Sequence, residues 1–194
     1  LLAAGVLAEL VSFKDQSPIG IIPFHNVVGK IKPDAENYII LGCHYDTKIG
    51  VSDSFAGAND SGSGVGLLLE LAKVLNESWN HAIGIRFVFF DGEECKVSYG
   101  IHDGFHGSKH MAKSIVESGE RKRVRAMINL DMIGDKDLNV TIPRNTTRHL
   151  AAKIFKAANK LGTRNHFELF PHNIGDDHSA FLKVGIPAID LIDF

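Results

Sequence analysis

The stretch Ile85–Phe90, reading IRFVFF, constrains the fold more than any other part of this chain. It is too short for a helix of ordinary length and is apolar at both odd and even positions. A strand of this kind is buried on both faces, as happens when helices cover both sides of a largely parallel sheet. Four further runs read as strands: Asn26–Ile31, Tyr38–Cys43, Val124–Leu130 and Ala188–Ile192. Helical patterns alternate with them at Gly64–Asn76, Ser108–Ser118, Thr146–Leu161 and Ser179–Val184, the last stopped by Gly185 and Pro187. The expected fold is α/β: a three-layer sandwich with a central twisted, mostly parallel mixed sheet and helices on both faces.

In open sheets of this class, ligands gather beyond the carboxyl ends of the strands. Here those ends and the loops beside them read CHYD, FFDGEE, NLDMIGD and, before the last strand, IGDDHSAF. The loop GANDSGSG adds Asp60 just ahead of a helix. All are acidic. Carboxylates converging on one edge repel one another unless some are protonated or a cation neutralises them. A metal site is the economical solution. His44 among carboxylates, with no run of thiolates, suits zinc in a partly open catalytic site. His44 and Asp46 stand two apart, so one can ligate while the other orients the imidazole. An isolated His-Tyr-Asp would be read as a strand-end histidine capping a turn; five acidic segments together favour the metal.

In their order and spacing, HYD, GANDSGSG, FFDGEE, NLDMIGD and DDHSAF resemble the zinc-dependent exopeptidases, which include the two-zinc aminopeptidases and the related animal-type glutaminyl cyclases. The resemblance covers Phe24 to Phe194. It implies that His44 and Asp131 bind one zinc, Glu94 a second, and that Asp60 bridges the two. It makes Glu93 the general base and puts Asp46 behind His44. Asp176, with Asp177 and His178, falls near Glu93 rather than in the ligand set. The resemblance also places a further histidine ligand beyond Phe194. In such a site one or two zinc ions lower the pKa of a bound water, and a neighbouring carboxylate takes its proton.

Between the two activities, the small residues around Asp60 favour a zinc aminopeptidase acting on peptides with a free N-terminus. The segment GEECKVSYGIHDGFHGSKH and the early FHNVVGKI lean towards a glutaminyl-peptide cyclotransferase, which is kept as the alternative. Two other readings are weaker. Gly62, Gly64 and Gly66 with Asp91 suggest a dinucleotide loop, but the third glycine comes one position early and no strand immediately precedes it. A metal-free binding module on the same fold is opposed by the five acidic motifs.

Composition excludes other partners. The 21 basic and 23 acidic residues, formal charge -2, offer no field for nucleic acid and no polybasic membrane patch. No apolar stretch reaches the ~18 to 20 residues of a membrane span, so a soluble chain is expected, with a secreted or periplasmic location compatible. With 194 residues and 44% hydrophobic content, one domain spanning 1–194 is the reading. Cys43 and Cys95 are read as structural thiols, and the remaining histidines as surface or packing residues. The opening LLAAGVLAEL has no Met and no charged leader and reads as the end of an amphipathic helix. The final IPAIDLIDF is an apolar strand with nothing after it. Material missing at both ends is therefore expected.

Overall fold

A computed structural model describes residues 1–194. Eight strands form one sheet: β1 (Leu7–Ser17), β2 (Gly20–Ile31), β3 (Tyr38–His44), β4 (Gly84–Phe90), β5 (Val124–Asp131), β6 (Val140–Pro143), β7 (Phe167–Phe170) and β8 (Ala188–Ile192). Their spatial order is β1-β2-β4-β3-β5-β8-β6-β7. The centre, β4-β3-β5-β8, is wholly parallel, while β1 with β2, β2 with β4 and β6 with β8 are antiparallel. The helices are α1 (Gly62–Ser78), α2 (His106–Glu117), α3 (Arg148–Leu161) and α4 (His178–Lys183).

The IRFVFF strand behaves as its composition requires. Ile85, Phe87 and Phe89 join Leu41, Cys43 and Leu130 against Leu68 and Ala72 of α1. Val88 and Phe90 point the other way, to Ala112 and Ile115 of α2 and Phe181 of α4. On the α1 face, Leu150 of α3 packs on Ala126, Ile142 and Ile189. The three-layer α/β sandwich is therefore present, with α1 and α3 on one face and α2 and α4 on the other.

The N-terminus departs from the helical expectation. Leu2–Ala4 make a single 3-10 turn, and the chain then enters β1 and pairs in register with β2 from Leu7↔Lys30 to Ser17↔Gly20. The physical reason is the turn Ser17-Pro18-Ile19-Gly20. Proline presets its first corner, Gly20 adopts φ 109, and Ser17 Oγ donates to Gly20 O at 2.8 Å, which brings the two runs back on themselves. The same hairpin extends β2 back to Gly20, ahead of the Asn26 start read from the sequence. Strands β6 and β7, four residues each, carry too little pattern to be read. Both cysteines are free and buried. No helix is long and apolar enough to cross a membrane.

Candidate active site

Parallel register brings the acidic segments together. His44 at the end of β3 is level with Phe90 at the end of β4, and Gly42 with Asn129, two residues before Asp131 closes β5. Asp60 enters from the loop before α1, whose first turn packs closely on the sheet. A Cβ on Gly64 would lie 2.7 Å from Leu130 O and 3.0 Å from Cys43 Cβ. This close approach carries Asp60 towards His44.

His44 is 1% exposed. Its Nδ1 donates to the backbone oxygen of Asp46 at 3.1 Å, with Asp46 Oδ1 at 3.4 Å. Since a carbonyl can only accept, Nδ1 carries a proton, and in the neutral ring Nε2 presents the lone pair. That lone pair lies 2.9 Å from Asp60 Oδ1 and 3.5 Å from Asp131 Oδ1. Neither Nε2 nor Asp131 Oδ1 has a hydrogen-bond partner, and both are buried. Burial by itself lowers the His44 pKa, but the carboxylates of Asp131, Asp46 and Asp60 outweigh it and raise it. Three acceptors converging on one point, one imidazole nitrogen and two carboxylates, form a candidate cation site.

Asp46 ties this group to the neighbouring turn. Its two carboxylate oxygens accept the backbone N–H groups of Glu93 at 3.0 Å and Glu94 at 3.1 Å. Burial pushes the Asp46 pKa up, but the His44 ring and these two donors leave it lowered. The consecutive glutamates then meet different surroundings. Glu93 is 6% exposed, and burial, followed by the charge of Asp177, pushes it up to about 9. Glu94 faces Lys48, whose Nζ is 3.3 Å from its Oε2, and its pKa is raised by burial and by Asp60. The Glu94 carboxylate is thus turned to Lys48 and lies outside the compact His44, Asp60 and Asp131 group.

The Asp176–His178 segment, close enough to Glu93 for Asp177 to act on it, forms a second buried group. Asp176, Asp177 and His178 are buried, and Asn129 Nδ2 bridges Asp176 Oδ2 at 2.8 Å and Asp190 Oδ1 at 3.2 Å. His178 Nε2 donates to Asn145 O at 3.2 Å, and its Nδ1 is 3.7 Å from Asp190 Oδ2. Burial depresses His178 to about 4 and raises Asp177 and Asp190 to about 7. His178 therefore belongs with Asp176 and Asp190 rather than with His44. Asn145 holds Ile174 through both amide atoms. Asp91, the acid of the dinucleotide reading, accepts the His25 backbone N–H at 2.7 Å and serves the β2–β4 junction.

Asn129, Asp190, Lys48 and Tyr99 were not singled out from the sequence. Asn129 shares a strand face with Asp131, and Asp190 is the sole charge within the apolar run AIDLI. Those two signals were available. Tyr99 and Lys48 carry none, because their positions depend on how loops close.

Residues 26–194 match the profile of Peptidase family M28. The chain belongs to this family. Among curated relatives, a glutaminyl-peptide cyclotransferase of Drosophila melanogaster is 31% identical over 209 residues, covering 95% of this chain and 59% of its own. A glutaminyl-peptide cyclotransferase-like protein of Bos taurus is 33% identical over 218 residues, covering 98% and 57%. The chain thus spans less than two thirds of the length of these relatives. Among solved structures, an Acidobacteriales bacterium glutaminyl cyclase superposes with TM-score 0.90 at 33% identity, covering 99% of this chain and 66% of that one. A leucine aminopeptidase precursor from Bacteroides thetaiotaomicron superposes with TM-score 0.85 at 26% identity, covering 100% and 73%.

Proposed function

We propose that this chain is the catalytic region of a zinc-dependent glutaminyl-peptide cyclotransferase, acting on peptides with a free N-terminal glutamine. The observation that carries the choice is the likeness to glutaminyl cyclases over 95 to 99% of the chain, which includes the segment after GEE. The aminopeptidase preference drawn from the small residues around Asp60 gives way to it. In this reading His44, Asp60 and Asp131 would hold one zinc, for which the unpartnered His44 Nε2 and Asp131 Oδ1 fit, and Glu94, outside that group, is assigned to a second ion. Bound there, zinc supplies Lewis acidity towards the γ-carboxamide oxygen of the substrate.

The chain's own residues handle the proton. Glu93, buried beside the His44 group, accepts a proton from the attacking α-amine. The amine nitrogen bonds to the side-chain amide carbon, the carbon–nitrogen bond to the departing group breaks, and Glu93 returns the proton so that ammonia leaves. Burial raises the Glu93 pKa, which makes the ionised carboxylate a stronger base and lets it keep the proton until ammonia leaves. Asp46 fixes the His44 ring and the Glu93–Glu94 turn together.

Aminopeptidase activity is the second reading, favoured by the leucine aminopeptidase precursor at TM-score 0.85. Both are tested by incubating the full-length protein with an N-terminal glutaminyl peptide and with a panel of aminoacyl amides, with zinc and with a chelator. Cyclisation releases ammonia and leaves the peptide blocked; hydrolysis frees the first residue. Release of the first residue without any blocked product would overturn the cyclotransferase assignment.

A further inference from the structure

The segment between the two glutamates and α2 is held in place by hydrogen bonds and buries little apolar surface. Val97 and Ile101 are 76% and 83% exposed. Yet the Asp103 carboxylate, nearly fully buried, accepts three backbone N–H groups, from Lys96 at 2.7 Å, Val97 at 2.8 Å and Ser98 at 3.0 Å. Gly100 N donates to Asp103 O at 2.8 Å, and Lys109 Nζ donates to Gly100 O at 2.7 Å and Gly104 O at 2.8 Å. A surface loop tied at so many points is held in shape, and that shape brings one aromatic side chain to the two glutamates.

The side chain is Tyr99. Its ring stacks on Phe105 with centroids 4.7 Å apart and planes 19° from parallel, while Phe105 N donates to Glu93 O at 2.9 Å. Gly104, at φ 78, makes room for the ring, because a Cβ there would stand 2.5 Å from Tyr99 Cδ1. The Tyr99 hydroxyl reaches Glu93 Oε2 at 3.1 Å and Glu94 Oε2 at 3.2 Å. A phenol carries one proton and donates it to one acceptor at a time. Glu94 already has the Lys48 ammonium at 3.3 Å. Glu93 has no other donor side chain, so the proton of Tyr99 belongs to Glu93.

We propose that Tyr99 is a positioning residue for Glu93: its hydroxyl fixes the Glu93 carboxylate in the orientation from which it exchanges protons with the reacting groups, and the Lys96–Phe105 segment holds that hydroxyl in place. The inference rests on Glu93 being the general base. Tyr99 acts through Glu93 and need not touch substrate, so its loss should fall on turnover rather than on binding.

The test is Tyr99→Phe in the full-length protein, which keeps the ring and its stacking on Phe105 and removes the hydroxyl alone. Zinc content, the urea unfolding midpoint and both kinetic constants are measured. Loss of one hydrogen bond to a charged group predicts a fall in kcat of at least about tenfold, with KM within about twofold and with zinc content and midpoint unchanged. Gly104→Ala, which pushes the ring aside and leaves the hydroxyl in the molecule, should lower kcat in the same way. An unchanged kcat in Tyr99→Phe overturns the inference, as does a loss that tracks a drop in zinc content or in unfolding midpoint. A wild-type protein that turns over neither glutaminyl peptides nor aminoacyl amides overturns the functional reading and this inference with it. Normal wild-type turnover with an indifferent Tyr99→Phe removes the inference alone.

Discussion

Gly64→Ala is the substitution that most directly tests how packing builds the candidate site. The added Cβ would lie 2.7 Å from the Leu130 carbonyl oxygen and 3.0 Å from Cys43 Cβ. Ordinary carbon contacts begin near 3.5 Å, so the shortfall at Leu130 is roughly 0.8 Å. Neither neighbour is the loose end of a side chain; one is sheet backbone and the other is a Cβ fixed to it. Overpacking of this kind costs about 1 to 3 kcal/mol, and backbone against backbone belongs at the upper end. Alanine in a helix returns about 1 kcal/mol relative to glycine. The net loss is therefore about 2 kcal/mol, which at about 2 to 3 kcal/mol per molar urea lowers the unfolding midpoint by roughly 0.7 to 1 M.

The displaced atoms belong to the site whichever side gives way. Movement of β5 shifts Asp131, movement at Cys43 shifts His44, and movement of α1 shifts Asp60. Zinc affinity should fall along with stability. Gly66, exposed two residues on with nothing within 4 Å of its Cβ position, is the internal control. Gly66→Ala should gain up to about 1 kcal/mol by helix propensity and leave zinc binding alone. Urea titration and zinc titration of both variants check the pair. A Gly64→Ala protein with wild-type midpoint and affinity would refute the claim that the α1 contact places Asp60.

Glu93→Gln should keep its metal and lose turnover by about 10² to 10⁴-fold, since the amide cannot accept the proton; loss of metal in a folded variant would make Glu93 a ligand instead. Asp60→Ala should lower metal occupancy and turnover together, because His44 and Asp131 then share a cation with one carboxylate fewer; full occupancy measured by metal analysis would remove Asp60 from the ligand set. For chelator-treated protein the pH dependence has a definite sign. Asp177 and Asp190 at about 7 and Glu93 at about 9 hold protons in the fold that the unfolded chain gives up near its ordinary carboxylate range. The folded state therefore binds more protons, and stability from these groups is complete below about pH 4 and declines from about pH 5 to 9, by about 1.4 kcal/mol per pH unit for each such proton. Urea titrations across that range check it, and a stability that rises with pH would contradict it.

The central strands were legible because both-face burial leaves an unbroken apolar run, and their carboxyl ends announced the site through charge. His44, Asp60 and Asp131 could be gathered in advance because parallel strands expose the same end on the same edge. The hairpin of β1 was not legible for an opposite reason: an edge strand is half exposed, and Leu7 and Leu10 at 64% and 63% exposure break the alternation that would have marked it. Read with the Ala-rich start, those leucines imitate a helix period. Strands β6 and β7 are too short to show any period.

What the sequence could not contain was the division of labour between adjacent glutamates. One base and one ligand were assigned to Glu93 and Glu94 by resemblance, with the buried strand before them as the physical support. The strand fixes where the pair emerges, but the parting of their side chains depends on three residues that no local pattern connects. Asp46 fastens both backbone N–H groups, Lys48 pairs with Glu94, and Tyr99 reaches both carboxylates from a separate loop. Asp46 and Lys48 come from the loop after β3 and Tyr99 from the loop before α2, so the arrangement depends on two loops closing on the same turn. Charge convergence is therefore readable from a chain, since it needs only the sheet edge. The orientation of each charge is not, since it is settled by donors that arrive from across the fold.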